Sequence, residues 1–279
     1  MFTVLFMRKI YLFLLFILTV FVLKSQTSDI IPSTFAVANA SVADNKYYSA
    51  FQNPASGATL NGTQVGIQYE NKYIINALAK KSIYFSTSTS LINIGIAATY
   101  SGYELHNELL TGISISKNFS NIFQLGVQYN YYSVYLAEAN KRFASFLPQI
   151  GIIVSVSPAV KIGFSTFNPG QQKIQLKYSN KQIPTIFSLG TNWNVSENLD
   201  FLFQTDKNIS GNYRVAGGFE YEVKEFLSLK IGAYQAEYLI PTVGIGLKLK
   251  TFDFYLNTEL HPILGLTTFA AIKYTISKD

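Results

Sequence analysis

Beyond residue 62, apolar and polar residues alternate with a period of two, and this pattern constrains the fold more than any other feature of the chain. Successive side chains of a β-strand point to opposite faces, so sustained alternation specifies strands with two different faces. Within 91–100, Ile92, Ile94, Ile96, Ala98 and Tyr100 share one face, while Asn93, Gly95, Ala97 and Thr99 share the other. Toward the C-terminus, Phe252, Phe254, Leu256 and Leu260 interleave with Asp253, Tyr255, Asn257 and Glu259. After Gln26 no window has the length of a spanning helix, and no long stretch shows a 3.6-residue apolar period.

About fourteen such segments are predicted, at 63–71, 81–88, 90–102, 108–118, 122–133, 147–157, 159–168, 184–194, 198–206, 212–223, 226–236, 239–250, 252–261 and 264–277. Each is near the ten residues of a membrane-spanning strand, and an even number suits an antiparallel up-and-down transmembrane β-barrel. Every second connection is tight, as at 155–159, 194–198 and 223–226, and the others are longer, above all 134–146 and 169–183. Short turns on one rim and long loops on the other are what such barrels show. A soluble β-sandwich, or a lipocalin-like barrel with its apolar side inward, also produces alternation. Against these stand the strand lengths and the lack of any helix to cover an outer apolar face.

One face is uniformly aliphatic and aromatic; the other carries Gly, Ser, Thr, Asn, Gln and charges of both signs. The charged members in the late strands are Asp200, Arg214, Glu220, Glu222, Lys230, Lys248, Asp253, Glu259 and Lys273. A basic residue facing hydrocarbon at mid-membrane costs on the order of 2–4 kcal/mol, so these nine are expected to line the lumen as an ion-pair network. Charged residues make up only 14% of the chain, against about one quarter in an ordinary soluble domain.

The first residues read as a targeting segment: Arg8 and Lys9, an uncharged apolar run from Ile10 to Leu23, then Lys24 and Ser25. Residues 1–25 are expected to be a signal peptide, cleaved near Ser25, with the cell outer membrane as destination. Removing them takes away three basic residues and lowers the net charge from +6 to +3. That bias does not indicate a nucleic-acid partner. There is no Cys, so a secreted chain of this kind draws stability from closed backbone hydrogen bonding rather than disulfides.

Residues 26–62 precede the alternation and are small and polar, with an Asn-Ala-Ser-Val-Ala run at 39–43, Asp44, and Ser-Ala-Phe-Gln-Asn-Pro-Ala at 49–55. This stretch resembles the N-terminal signature of the PorV/PorQ and FadL-like bacterial outer-membrane proteins, in which a small-residue stretch runs into Asn-Pro-Ala before the first strand. The resemblance implies a fourteen-stranded barrel with an N-terminal plug. The chain departs from it in having Asn39 where a Gly is usual, Ser56 within the Asn-Pro-Ala-Gly run, and no terminal aromatic residue. On this reading 26–62 forms the plug and 63–279 the barrel, with Asn39, Ser41, Asp44, Phe51, Asn53 and Pro54 as plug residues. Small side chains let backbone pack closely inside a lumen, Asn53-Pro54 interrupts regular structure, and Phe51 is the candidate anchor to the wall. A disordered leader is the other reading of the same composition.

No catalytic set emerges. His106 and His261 fall at the rim without paired motifs, no metal-ligand spacing is present, and Gly244-Ile245-Gly246 lies within a strand rather than before a helix. Glu220 and Glu222 share a face as glycosidase carboxylates do, but Arg214 and Lys230 nearby point to ion pairing. The chain is expected not to be an enzyme and to need no cofactor. Three functions fit. The PorV/PorQ resemblance implies an accessory of type IX secretion, binding secretion-system proteins or secreted cargo through loops 134–146 and 169–183. The FadL-like resemblance implies a channel for small hydrophobic molecules. A structural or adhesive envelope barrel is the third. The polar inner face of the late strands ranks the first slightly ahead; outer-membrane lipid is a partner in all three.

Overall fold

The computed structural model describes residues 30–46, 51–175, 180–211 and 213–276; the expected leader, 1–25, lies outside them. Among the described residues there are sixteen strands: β1 (Thr63–Asn71), β2 (Lys80–Ser88), β3 (Asn93–Tyr103), β4 (His106–Phe119), β5 (Phe123–Leu136), β6 (Lys141–Ser157), β7 (Val160–Phe167), β8 (Lys173–Gln175), β9 (Asn180–Gln182), β10 (Ile186–Ser196), β11 (Leu199–Asn208), β12 (Tyr213–Lys224), β13 (Leu227–Gln235), β14 (Leu239–Leu249), β15 (Phe252–His261) and β16 (Gly265–Ile276). Fourteen of them close into one antiparallel barrel in sequence order, and β8 with β9 forms a separate small hairpin. Closure joins β1 to β16, from Thr63 opposite Ile276 to Asn71 opposite Thr268, so the barrel sheet has no free edge.

The faces separate as the alternation predicts. Outward positions hold large apolar side chains open to the surroundings: Ile67 is 54% exposed, Ile113 60% and Ile231 65%. Inward positions hold buried polar groups such as Gln124, Gln128, Asn130, Gln149 and Gln204. A sandwich or a lipocalin-like barrel has the opposite polarity, so both are excluded. No helix among the described residues is long and apolar enough to cross a membrane.

The short-turn rim is tight, with two-residue connections at 158–159, 197–198, 225–226 and 250–251. Bulges at Ser155/Ser157, Asn194/Ser196 and Glu222/Lys224 sit beside three of these turns and adjust the register there.

The opposite rim differs from expectation in one respect. Residues 134–146 are not a long loop: β5 runs on to Leu136, β6 begins at Lys141, and only 137–140 connects them. The charges that look like loop sequence belong to strand ends. Arg142 donates to Ser133 Oγ at 3.0 Å and Asn107 Oδ1 at 2.7 Å across the outer face.

The connection 168–185 is long, and its described residues, 168–175 and 180–185, turn inward. Ile174 and Ile183 are buried against Leu110, Tyr132, Leu147 and Phe167. Asn168 closes the base of the loop by donating to the Ile183 and Gln172 carbonyls at 3.1 and 3.2 Å. From the hairpin, Lys181 Nζ reaches Glu108 at 2.5 Å.

Residues 30–46 and 51–62 lie inside the barrel. A short 3₁₀ turn at Val37–Asn39 packs against β12 to β14, and another at Pro54–Thr59 packs against β3 to β6. The interior is therefore filled by two apolar clusters, one around Phe35, Val37, Leu202 and Phe269, the other around Phe51, Leu110 and Tyr132.

Candidate functional site

The site is the lumen, built by the segment before β1 and the wall it touches. Asn53 is fully buried and organises the segment. Its Oδ1 accepts the Ala55 N–H at 2.9 Å and so caps the turn that Pro54 begins, while its Nδ2 donates to the Val42 carbonyl at 2.6 Å and the Ile152 carbonyl of β6 at 3.3 Å. Asn39 has a left-handed backbone, φ 59°, where a glycine is the usual choice, and its Oδ1 accepts both the N–H and Oγ1 of Thr34 at 2.7 and 2.8 Å. Asn tolerates this conformation and its short side chain bonds locally, which explains the departure from Gly. Ser41 is buried and its carbonyl accepts the Asp44 N–H at 3.0 Å. Phe51 is buried in the wall cluster of β3, β4 and β5, and its carbonyl accepts from Gln149 Nε2 at 3.0 Å.

The wall makes room for this segment with glycines. A Cβ on Gly126 would meet the backbone of Pro54 at 2.3 Å, and one on Gly163 would meet the Val42 carbonyl oxygen at 2.1 Å. Polar wall groups answer the segment's backbone, as where Gln204 Oε1 accepts the Val42 N–H at 2.9 Å.

The nine inward charges of the late strands make their contacts at several places along the lumen. Near the short-turn rim Lys46 of the inner segment joins Asp200 at 2.5 Å and Glu222 at 3.0 Å, and Lys248 reaches Glu222 at 3.5 Å. Lys273 pairs with Asp253 at 2.6 Å, where the Tyr255 hydroxyl also donates at 3.0 Å. Lys230 stands opposite Glu220 in register and donates to the Phe35 carbonyl at 2.5 Å. Arg214 turns to Asp206, at 2.7 Å, and to the Ala38 carbonyl, while Glu259 accepts from the Tyr234 hydroxyl at 2.9 Å. Lys46 and Asp206 escaped sequence reasoning: Lys46 sits outside the alternation, and Asp206 ends a strand where a charge reads as loop.

Asp44 of the inner segment lies beside these charges. Burial, and then the nearby Glu220 carboxylate, push its carboxyl up to about 6 against the Lys46 and Lys230 charges. Its Oδ1 accepts the Lys46 N–H at 2.8 Å, and its Oδ2 has no hydrogen-bond partner.

Between the inner segment and the long-loop rim lies a cavity of about 380 Å³. Its floor includes Ile31, Phe51 and Gln52; Phe167 and Ile186 line one side and Tyr73, Tyr238 and His261 its mouth. A second, much smaller void of about 40 Å³ lies alongside, lined by Phe35, Tyr84 and Tyr255, and shares Ser33, Phe51 and Gln52 with the first. His106 is at the same rim and contacts Glu108 at 3.3 Å. No cluster of His, Asp and Glu suited to a metal ion occurs among the described residues.

No protein-family model matches the chain, and no curated protein matches its sequence. Solved structures match its fold. The toluene transporter TbuX of Ralstonia pickettii superposes with a TM-score of 0.65 at 11% identity, over 92% of this chain and 100% of that one. The toluene transporter TodX of Pseudomonas putida gives 0.65 at 10% identity, over 88% and 98%. A FadL homologue from Pseudomonas aeruginosa gives 0.64 at 10% identity, over 88% and 99%. At such identities the likeness is one of fold.

Proposed function

We propose that this chain is an outer-membrane channel that admits small, mainly apolar molecules, with the inner segment, described over 30–46 and 51–62, acting as a plug that gates the lumen. The observation that carries the reading is a cavity of about 380 Å³ above a seated inner segment, facing the rim of the two longest connections. Long loops face outward in barrels of this kind, so the cavity is a vestibule open to the exterior. The toluene carried by TbuX and TodX, barrels of the same fold, agrees with a cargo of this size. Passage past the floor requires Phe51 and Gln52 to move, because they separate the vestibule from the smaller void beside it.

The chain has no cysteine, which makes a cross-link test clean. Asn53 and Gly151 face each other closely enough that a Cβ on Gly151 would overlap the Asn53 side chain. In proteoliposomes, Asn53→Cys/Gly151→Cys should take up radiolabelled toluene or p-cresol when reduced and stop when oxidised. Equal uptake in both states would remove the gating role of the plug, and no uptake by the unaltered chain would remove the channel.

The secretion-accessory reading draws less support, since only 137–140 connects β5 and β6 and Ile174 and Ile183 of the long connection are buried in the mouth. Specific recovery of secretion-system proteins with the tagged barrel would favour it over the channel.

A further inference from the structure

We propose that the vestibule selects a neutral, planar molecule bearing a hydrogen-bonding group, of the phenol class, over both a bare hydrocarbon and a carboxylate anion. This rests on the channel reading above and narrows it to a substrate class.

The cavity lining carries four acidic residues, Glu70, Asp206, Glu237 and Glu259, against three basic ones, Lys72, Lys80 and Arg214. Glu70 and Lys80 pair at 3.4 Å, and Asp206 and Arg214 at 2.7 Å. Glu259 takes the Tyr234 hydroxyl, and the Lys72 ammonium stands 5.2 Å over the Tyr73 ring. An anion entering here meets more acidic residues than basic ones, and Lys80 and Arg214 are already paired with carboxylates. A hydrocarbon fares no better at the mouth, because it strips water from polar groups and returns no hydrogen bond.

The mouth itself suits a ring with a polar edge. The rings of Tyr73 and Tyr238 lie edge-on to His261 at centroid distances of 5.7 and 5.2 Å. His261 Nδ1 accepts the N–H groups of Ile263 and Leu264 at 3.2 and 3.1 Å. With Nδ1 an acceptor, the neutral imidazole carries its proton on Nε2 and is a donor there. Tyr73 and Ile74 are both left-handed, φ 55° and 58°, an unfavourable backbone for two successive residues with side chains. The Tyr73 N–H holds to Thr267 Oγ1 at 3.3 Å. Strain of this sort gathers at ligand clamps, and here it carries Tyr73 to the vestibule lining. Below the mouth, Phe51, Phe167 and Ile186 offer an apolar seat for the body of the ring.

The test is calorimetric titration of the full chain in nanodiscs with p-cresol, toluene and benzoate. The three share a ring and differ in carrying a hydroxyl, no polar group or a charge. The expected order is p-cresol about tenfold tighter than toluene, the factor that one net hydrogen bond supplies, with benzoate weakest. His261→Phe should remove the preference and bring the p-cresol and toluene affinities together; His261→Leu, which likewise lacks the Nε2 donor, serves the same purpose if the first variant fails to fold. Toluene binding as tightly as p-cresol would overturn the phenol preference while leaving the channel intact. Tightest binding by benzoate would overturn it in favour of an anion site. If none of the three binds and none is taken up by proteoliposomes, the channel reading falls and takes this inference with it.

Discussion

Asp44 shows how one residue of the inner segment can report on its seating. Its carboxyl is buried and its folded value, about 6, lies above the ordinary 3.8. A carboxyl raised on folding binds its proton more tightly in the seated state, so seating is firmest below about pH 4 and weakens as pH rises toward 6. Above that it is constant, with a cost on the order of 2–3 kcal/mol for holding the charge inside. Asp44→Asn keeps an oxygen for the Lys46 N–H and removes the charge. It should therefore protect residues 36–46 from hydrogen exchange more than the unaltered chain at pH 7.5, and equally at pH 4. Reduced protection at pH 7.5 would mean that ionised Asp44 holds the segment in place. The neighbouring Asn39 illustrates what the sequence could not say: its departure from Gly is legible, but not that its side chain supplies the local acceptor that makes Asn acceptable at φ 59°.

At the scale of the strand, the alternation was enough to assign faces but not ends. Inward Lys230 and outward Leu229 are adjacent, and Leu229 stands opposite Ile245 on β14, so polarity reverses over one residue. Ile245→Lys places an ammonium in hydrocarbon at a central strand position, and should slow insertion or lower barrel stability by roughly 2–4 kcal/mol. Ile245→Thr, uncharged at the same site, should cost much less; urea titration in liposomes separates them, and equal effects would reverse the face assignment. Strand ends obey different physics. Charged residues on outward strand positions include Lys81, Lys117, Arg142 and Lys207, all within a few residues of an end. There long basic side chains reach water or stack on rings, as Lys207 does 3.6 Å from the centre of Tyr213. That is why Lys141 and Arg142 look like loop in the sequence although hydrogen bonding continues through them: composition changes at the membrane boundary, whereas the ladder stops only at the turn.

The whole molecule consists of a wall that closes on itself and a segment seated within it, and the two are joined by steric fit as much as by bonds. The ladder from β1 to β16 is complete without residues 30–62. Fourteen strands are therefore readable from period and length alone, while the docking of the inner segment is not, since it depends on which inward positions lack a side chain. Those positions are visible only as glycines scattered along separate strands, Gly126 on β5 and Gly163 on β7 among them, and nothing local relates one to another. Gly126→Leu tests this directly, because its Cβ would occupy the space of the Pro54 backbone, which is not a flexible neighbour that can swing away. The wall should still form, with the same gel mobility before and after heating as the unaltered chain, since the β5 ladder to β4 and β6 is untouched by an inward side chain. The inner segment should lose its seat, so that protease reaches residues 51–62 and ion conductance in planar bilayers rises well above that of the unaltered protein. Conductance and protease resistance both unchanged would show that the segment accommodates a side chain there, and that glycine at this position reflects something other than its docking.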